Sequence, residues 1–200
     1  MATQIKKLRR VDVQGHVSPS PKLQGNLKIR VQDGRYQQHD IRSVVLTLDG
    51  DEQHHEAFFD LVSPLLSTHL QLSGSAADTW TQWRGHLEKA NITVENNQIV
   101  LANPTEIALD TRLQQLSIQA HCWLDDQASL CLTQPTTIRR DEGVAHFALN
   151  HFELEQLASL FPEKTRFKGN VDAESSLEWH QGKAAQIRAK IVSSSGGWSR

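Results

Sequence analysis

The chain has 200 residues, 38% of them hydrophobic and 6% aromatic, with 21 Lys and Arg against 23 Asp and Glu for a formal charge of −2. That balance excludes a general nucleic-acid footprint, because phosphate binding needs a cationic surface, yet the length is enough for one domain with a core. No apolar run approaches the roughly 20 residues of a membrane span and no charged-then-apolar leader opens the chain, so the sequence is expected neither to span nor to target.

The one basic run, KKLRR at residues 6–10, reads as a solvated strand face or frayed start rather than as an anionic-lipid contact. GNLKIRV then puts Leu27, Ile29 and Val31 on one side and Asn26, Lys28 and Arg30 on the other, the period of a half-buried strand, and DGR is expected to turn the chain. The alternation returns in SVVLTLDG (Val44, Leu46, Leu48), THLQLSG (Leu70, Leu72), ANITVEN (Ile92, Val94), NQIVLANP (Ile99, Leu101) and TEIALD (Ile107, Leu109). It continues in LSIQAHC (Leu116, Ile118, Ala120, Cys122), ASLCL (Leu130, Leu132), GVAHFAL, GNVDAESSLEW and AAQIRAKIV. Turn formers stand in most gaps, at Gly34, Gly50, Gly74, Asn96, Asn97, Pro104, Gly143 and Gly169. LNHFELEQLASLFP changes to a helical period, with Leu154, Leu157, Leu160 and Phe161 on one stripe, Asn150 and Glu153 as a capping pair and Leu149 as a staple to Leu154. The spacing predicts a short helix over about residues 151–161, stopped by Pro162 and packed on an open end of the sheet.

Regular short strands with one aliphatic face predict an all-β chain. A compact sandwich or barrel would carry more aromatics and a second set of inward residues. An elongated, curved, twisted and mostly antiparallel sheet with an open apolar groove fits better. The inward candidates are Ile29, Val31, Leu46, Leu48, Leu70, Leu72, Ile92, Val94, Leu101, Leu109, Ile118 and Ala120. Cys122 and Cys131, the only cysteines, flank a DDQ turn. They lack the spacing of a zinc site or a redox pair, which leaves either a disulfide between adjacent strands or two buried thiols. No catalytic residue is assigned: there is no nucleophile elbow, Walker loop or dinucleotide-binding glycine motif. No metal site or cofactor is expected either, since HHE at residues 54–56 has no ligand partner at helical spacing and His146 and His151 straddle an element boundary.

HCWLDDQASLCL, followed by HFELEQLASLFPEKTRFKGNVDAESSLEW, resembles the interior of TamB-type proteins of the AsmA-like family. There a Cys-Trp…Leu-Cys element precedes a Leu-x-x-Leu…Pro helix and then Gly-x-h-x-x-x-x-x-h-x-Trp, h being apolar. DGRYQQHDIRSVVLTLDGD, SPLLSTHLQLSG and WRGHLEKANI are similar in order and spacing, so the resemblance covers residues 11–192. It implies a periplasmic protein of a Gram-negative envelope, anchored in the inner membrane, with a long β-taco sheet and an outer-membrane barrel partner, TamA. It further implies phospholipid transport or help with assembly of outer-membrane proteins, and no enzyme activity. The whole chain is then one interior segment without the anchor or the C-terminal domain, and residues 193–200 are expected to be disordered or a boundary artefact. In an oxidising periplasm Cys122 and Cys131 are expected to form a disulfide, with Trp123 on the opposite side of the strand covering the convex surface or the turn. Lining an acyl path with aliphatic residues has a clear energetic use: at roughly 0.8 kcal/mol per methylene, a 16-carbon chain crossing water faces a barrier of roughly 12 kcal/mol.

Overall fold

The computed structural model describes residues 5–18, 24–36, 39–77, 80–94, 97–155, 166–194 and 198–199. Six long antiparallel strands come first: β1 (Ile5–Ser18), β2 (Gln24–Tyr36), β3 (His39–Asp51), β4 (His55–Val62), β5 (Leu66–Ala77) and β6 (Gln82–Val94). Each pairs with its neighbour in sequence. The next three passes of the chain are each broken in two. β7 (Asn97–Leu101) and β8 (Thr105–Asp110) return along the two ends of β6. β9 (Gln115–Ile118) and β10 (His121–Leu124) return along β8 and β7, and β11 (Ser129–Leu132) and β12 (Thr136–Arg139) along β10 and β9. β13 (Glu142–Glu153) closes both branches, and β15 (Asn170–His180) and β16 (Gln186–Ser193) extend the sheet to its far edge. β14 (Arg166–Phe167) pairs separately with β17 (Trp198–Ser199). The topology is therefore an up-and-down meander, all-β and antiparallel, with fifteen strands in the main sheet.

The breaks at 102–104, 119–120 and 133–135 lie side by side, next to a bulge in β6 where Glu88 is the extra residue. The backbone groups released there are satisfied locally. Ala102 N donates to Cys122 O, Gln119 N to Glu106 O and Thr133 N to His146 O. Thr105 Oγ1 donates to Gln119 O at 3.1 Å, Thr133 Oγ1 to His146 O at 3.2 Å and Thr136 Oγ1 to Gln134 O at 3.3 Å. Pro104 and Pro135, which have no N–H to offer a ladder, stand in two of the three breaks.

Several local expectations are corrected. Gly34, Gly50, Gly74 and Gly143 do not turn the chain; they lie inside β2, β3, β5 and β13. β1 and β4 are strands although neither shows a clean alternation, because of the charge run in one and the adjacent Phe58 and Phe59 in the other. The helix predicted over 151–161 does not begin where its cap signals place it. Residues 151–153 finish β13, and Asn150 is a strand residue whose Nδ2 donates to Ser129 Oγ at 3.0 Å. The physical cause is a bulge between Leu149 and Phe152, with His151 at φ 54° and its N–H donating to Asp172 Oδ1 at 2.7 Å. That extra residue returns Phe152 to the side of Leu149 three positions on. Leu154 and Glu155 are in a 3-10 turn, and the remainder of the expected helix, 156–161, lies outside the described residues. At the chain end Ser193 completes β16, Ser194 N donates to Asn170 O, and Trp198 and Ser199 are paired in β17.

Candidate functional site

Residues opposite one another in adjacent strands share a face, so the registers sort the side chains into two sets. One set runs in rows across β1 to β6. Val13, Ile29, Leu46, Phe59, Leu70 and Ala90 form one row, with Val11, Val31, Val44, Leu61, Thr68 and Ile92 on one side of it. Gly15, Leu27, Leu48, Ala57, Leu72 and Leu87 lie on the other side. The same face continues through Ile99, Leu101, Trp123, Leu130 and Leu149, and by the second branch through Ile107 and Ile118. Eleven of the twelve inward candidates, Ile29, Val31, Leu46, Leu48, Leu70, Leu72, Ile92, Val94, Leu101, Leu109 and Ile118, thus stand on one face of one sheet. Ala120 does not; it sits in the break between β9 and β10, outside either ladder. That break also shifts the alternation by one, so Ile118 lies on the apolar face while Cys122 points away from it. Trp123, expected on the convex surface or the turn, is in register with Leu101 and Leu130 and belongs to the apolar face.

The opposite face is chiefly polar. It carries the ion pairs Arg10 with Asp12 at 2.8 Å and Arg139 with Glu142 at 3.1 Å, and a hydrogen bond between His69 Nδ1 and Asp60 Oδ1 at 2.6 Å. Glu178 is held below its usual pKa by a hydrogen bond from His180, with help from the charges of His180, Arg188 and Lys183. The disulfide is also on this face. Cys122 and Cys131 are directly opposite one another across the β10–β11 hairpin, with Cα atoms 4.0 Å apart and the sulfurs bonded.

The apolar face is left uncovered. Val13 is 62% exposed and Ile187 72%, and among the described residues no large side chain is fully buried. The accessible surface of the chain is 14411 Å², against about 9,500 Å² for a compact protein of this mass. A 22.5 kDa chain that keeps this much surface has not folded its sheet onto a second layer.

At one end of the strands the apolar face deepens into a cavity of about 410 Å³ lined from β1, β2, β3, β4, β5 and the start of β6. Its floor owes its depth to a row of missing side chains. Val17, Gly25, Gly50, His55, Gly74 and Gly85 are in register across the six strands, and four of the six are glycine. The indole of Trp83 lies over two of them, since a β-carbon on Gly74 or Gly85 would sit within 2.6 Å of its ring. Trp83 Nε1 donates to His55 Nε2 at 2.6 Å, and His55 Nδ1 bonds the Asp51 carbonyl at 2.9 Å. Those two partners assign the neutral ring with its proton on Nδ1. Trp80, in the turn before β6 at φ 66°, stacks on His55 with ring centroids 5.4 Å apart and donates to Glu52 Oε1 at 3.2 Å. From the sequence Gly50 and Gly74 read only as turn formers and His55 only as part of HHE, and Gly25, Gly85, Trp80 and Trp83 were not singled out. The available signal was Trp83 two places before Gly85, which in a strand puts a ring beside a vacancy on the same face, as Trp179 does over Gly143. Among the described residues no three His, Cys, Asp or Glu side chains converge as a metal site, and no helix is long and apolar enough to cross a membrane.

Taken together, these features define an antiparallel β-sheet protein whose apolar face is open and whose opposite face is chiefly polar. The family described as TamB, N-terminal domain, matches residues 3–199, and the chain belongs to that family. It is 23% identical over 186 residues to the translocation and assembly module subunit TamB of Haemophilus influenzae, an alignment that takes in 92% of this chain and 14% of that protein. The chain thus spans about one seventh of the length of the relative it matches. No solved structure matches it.

Proposed function

We propose that the uncovered face is a stretch of a path for phospholipid acyl chains between the inner and outer membranes of a Gram-negative envelope, within a translocation and assembly module. The observation that carries this reading is the succession of rows of partly exposed, chiefly aliphatic side chains on one face of one sheet. An apolar surface of that extent is costly in water unless something apolar lies on it, and burial of an alkyl chain returns roughly 0.8 kcal/mol per methylene. Membership of the TamB family and a disulfide, which persists in an oxidising compartment such as the periplasm, support the same reading. Catalysis has no part in it. Inner-membrane anchoring and contact with the barrel TamA fall to other parts of such a protein.

A second reading has its own observation. β1 and β16 are each paired on one side only among the described residues, and β16 is exposed along its whole length. Such edges can take on a strand of a nascent outer-membrane protein. In vivo photo-crosslinking within the longer protein separates the two. Probes at Ile92 and Leu101, on the apolar face, should capture phospholipid, and a probe at Thr93, on the other face, should not. Ile92→Arg should lower transport while the sheet still folds, because the long side chain can reach water from an open face. Equal lipid capture at Thr93 and Ile92, or full function of Ile92→Arg and Leu101→Arg, would reject the conduit and favour edge pairing.

A further inference from the structure

The apolar field across β1 to β3 ends differently at its two sides. At one side it runs into the glycine row and the cavity beneath Trp83. At the other, Arg9 is two residues before Val11 and Arg42 two before Val44, so strand alternation carries both onto the apolar face just past its last aliphatic row. Arg35, opposite Lys7, follows in the next row, 3.7 Å from Asp40. The sequence alone treats the basic run 6–10 as a solvated strand face; the register turns Arg9 of that run toward the apolar field and Arg10 away from it. The cavity side has the reverse character. No Lys or Arg occurs anywhere in residues 43–83, while Asp49 and Asp51 border the cavity and Glu52 holds Trp80.

We propose that β1 to β3 form an oriented station for an anionic phospholipid: the phosphate headgroup rests on Arg9, Arg35 and Arg42, the acyl chains lie along the strands, and their methyl ends enter the cavity below Trp80 and Trp83. The inference rests on the acyl-path reading and adds an orientation and a headgroup charge to it. Charge complementarity selects this occupant. Among the described residues an anion at the cavity lip would meet carboxylates and no Lys or Arg, whereas at the other lip Arg9, Arg35 and Arg42 outnumber Asp33 and Asp40 and offer charge-assisted bonds to phosphate. The dimensions agree. Six residue steps from Arg42 to Leu48 cover about 20 Å, and a lipid in one leaflet spans about 20 to 22 Å with its headgroup region included. A headgroup at Arg42 therefore brings the chain ends to the level of Leu48 and the cavity mouth.

The test uses the full chain with vesicles of phosphatidylglycerol or phosphatidylcholine that carry a photoreactive group either on the headgroup or at the end of one acyl chain. Headgroup label should attach near Arg9 and Arg42, and chain-end label near Leu48 and Trp83. Arg9→Gln and Arg42→Gln should each weaken phosphatidylglycerol binding about fivefold and leave phosphatidylcholine binding nearly unchanged. Headgroup label at the tryptophans, or equal labelling at both sides, would overturn the orientation while leaving the acyl path in place. Chain-end label at Leu48 with equal loss of both lipids in the arginine variants would overturn the headgroup selectivity. No lipid adduct on either side would remove the acyl-path reading and this inference with it.

Discussion

The first five strands and the region from β6 to β13 use the same alternation to opposite ends. Strands β1 to β5 run long, and their apolar face carries Val, Ile, Leu and Phe that are only partly buried, with Val11, Val13 and Val17 on the edge strand 50%, 62% and 61% exposed. Between β6 and β13 the strands are bulged or broken along one line, and the residues of that face beside the line are small and buried: Ala90, Thr105, Thr136 and Ala145, together with Leu132. Small side chains are hidden where a sheet bends toward its own face, and bulges and breaks are what let it bend. One region therefore offers apolar area, and the other consumes it as the nearest approach to a core. A chain can leave a face open along one stretch because it gathers packing in another.

The sharpest way to break that contrast is to place the same charge in both regions. Leu132→Asp puts a carboxylate at a position only 8% exposed and should cost about 3 to 5 kcal/mol, whereas Val13→Asp, at an exposed edge-strand site, should stay within about 0.5 kcal/mol. Urea unfolding midpoints of the two variants measure the difference directly. Similar losses would mean that the face of β1 is as well covered as the bend, which would also remove the ground for an acyl path.

The open region was largely legible in the sequence and the bend was not. Leu27, Ile29 and Val31 or Val44, Leu46 and Leu48 alternate because their strands are regular, so period alone assigns the face. Gly50, Gly74 and Gly143 mislead because glycine is read as a turn former, while in this sheet Gly74 and Gly143 make room for tryptophan rings. The interrupted strands defeat periodicity in a different way. The extra residue at Glu88, the break at Gln119 and Ala120 and the bulge at His151 each move the pattern by one. A phase shift of one residue has no signature in composition, and it becomes visible only through the partner strand. The tryptophan, histidine and glycine cluster was missed for the related reason that its members come from β2 to β6 and meet only through register.

A smaller effect sharpens the contrast from the bend side. The Cys122–Cys131 bond ties β10 to β11 in the interrupted region, where the ladders are short. Closing so short a loop should contribute roughly 2.5 to 3 kcal/mol in the chain-entropy account. Replacing both cysteines by alanine should lower the unfolding midpoint accordingly. Amide hydrogen exchange should rise first at β10 and β11, with β2 and β3 unchanged at the same denaturant concentration. Uniform loss of protection across the sheet would show that the two regions unfold as one unit and do not differ in local stability.

The smallest expected effect concerns the turn that joins β8 to β9. Asp110 Oδ1 accepts from the N–H groups of Arg112 and Leu113, both at 2.9 Å, and its Oδ2 accepts from Gln82 Nε2 at 2.9 Å. Those bonds favour the ionised carboxylate, and its pKa lies below the ordinary 3.8, with the Leu113 N–H the largest cause, then Gln82, then Arg112. A depressed folded-state value means that the contribution to stability is fully present above the ordinary carboxylate pKa and is lost as the pH falls through the lowered one. Asp51 builds a similar turn in the open region, accepting from Gln53 N and His54 N at 2.8 Å. The comparison is therefore between two aspartate turns, one beside the bend and one beside the cavity. Asp110→Asn keeps an oxygen for the turn but cannot ionise, so it should remove the acid-side part of the stability profile that the parent chain loses below pH ~4. The side-chain carboxyl signal of Asp110, followed by NMR titration, should move at a pH below that of a model peptide. A titration at the ordinary value would mean that the turn's hydrogen bonds do not persist in solution, and the link between β8 and β9 would then rest on the ladder alone.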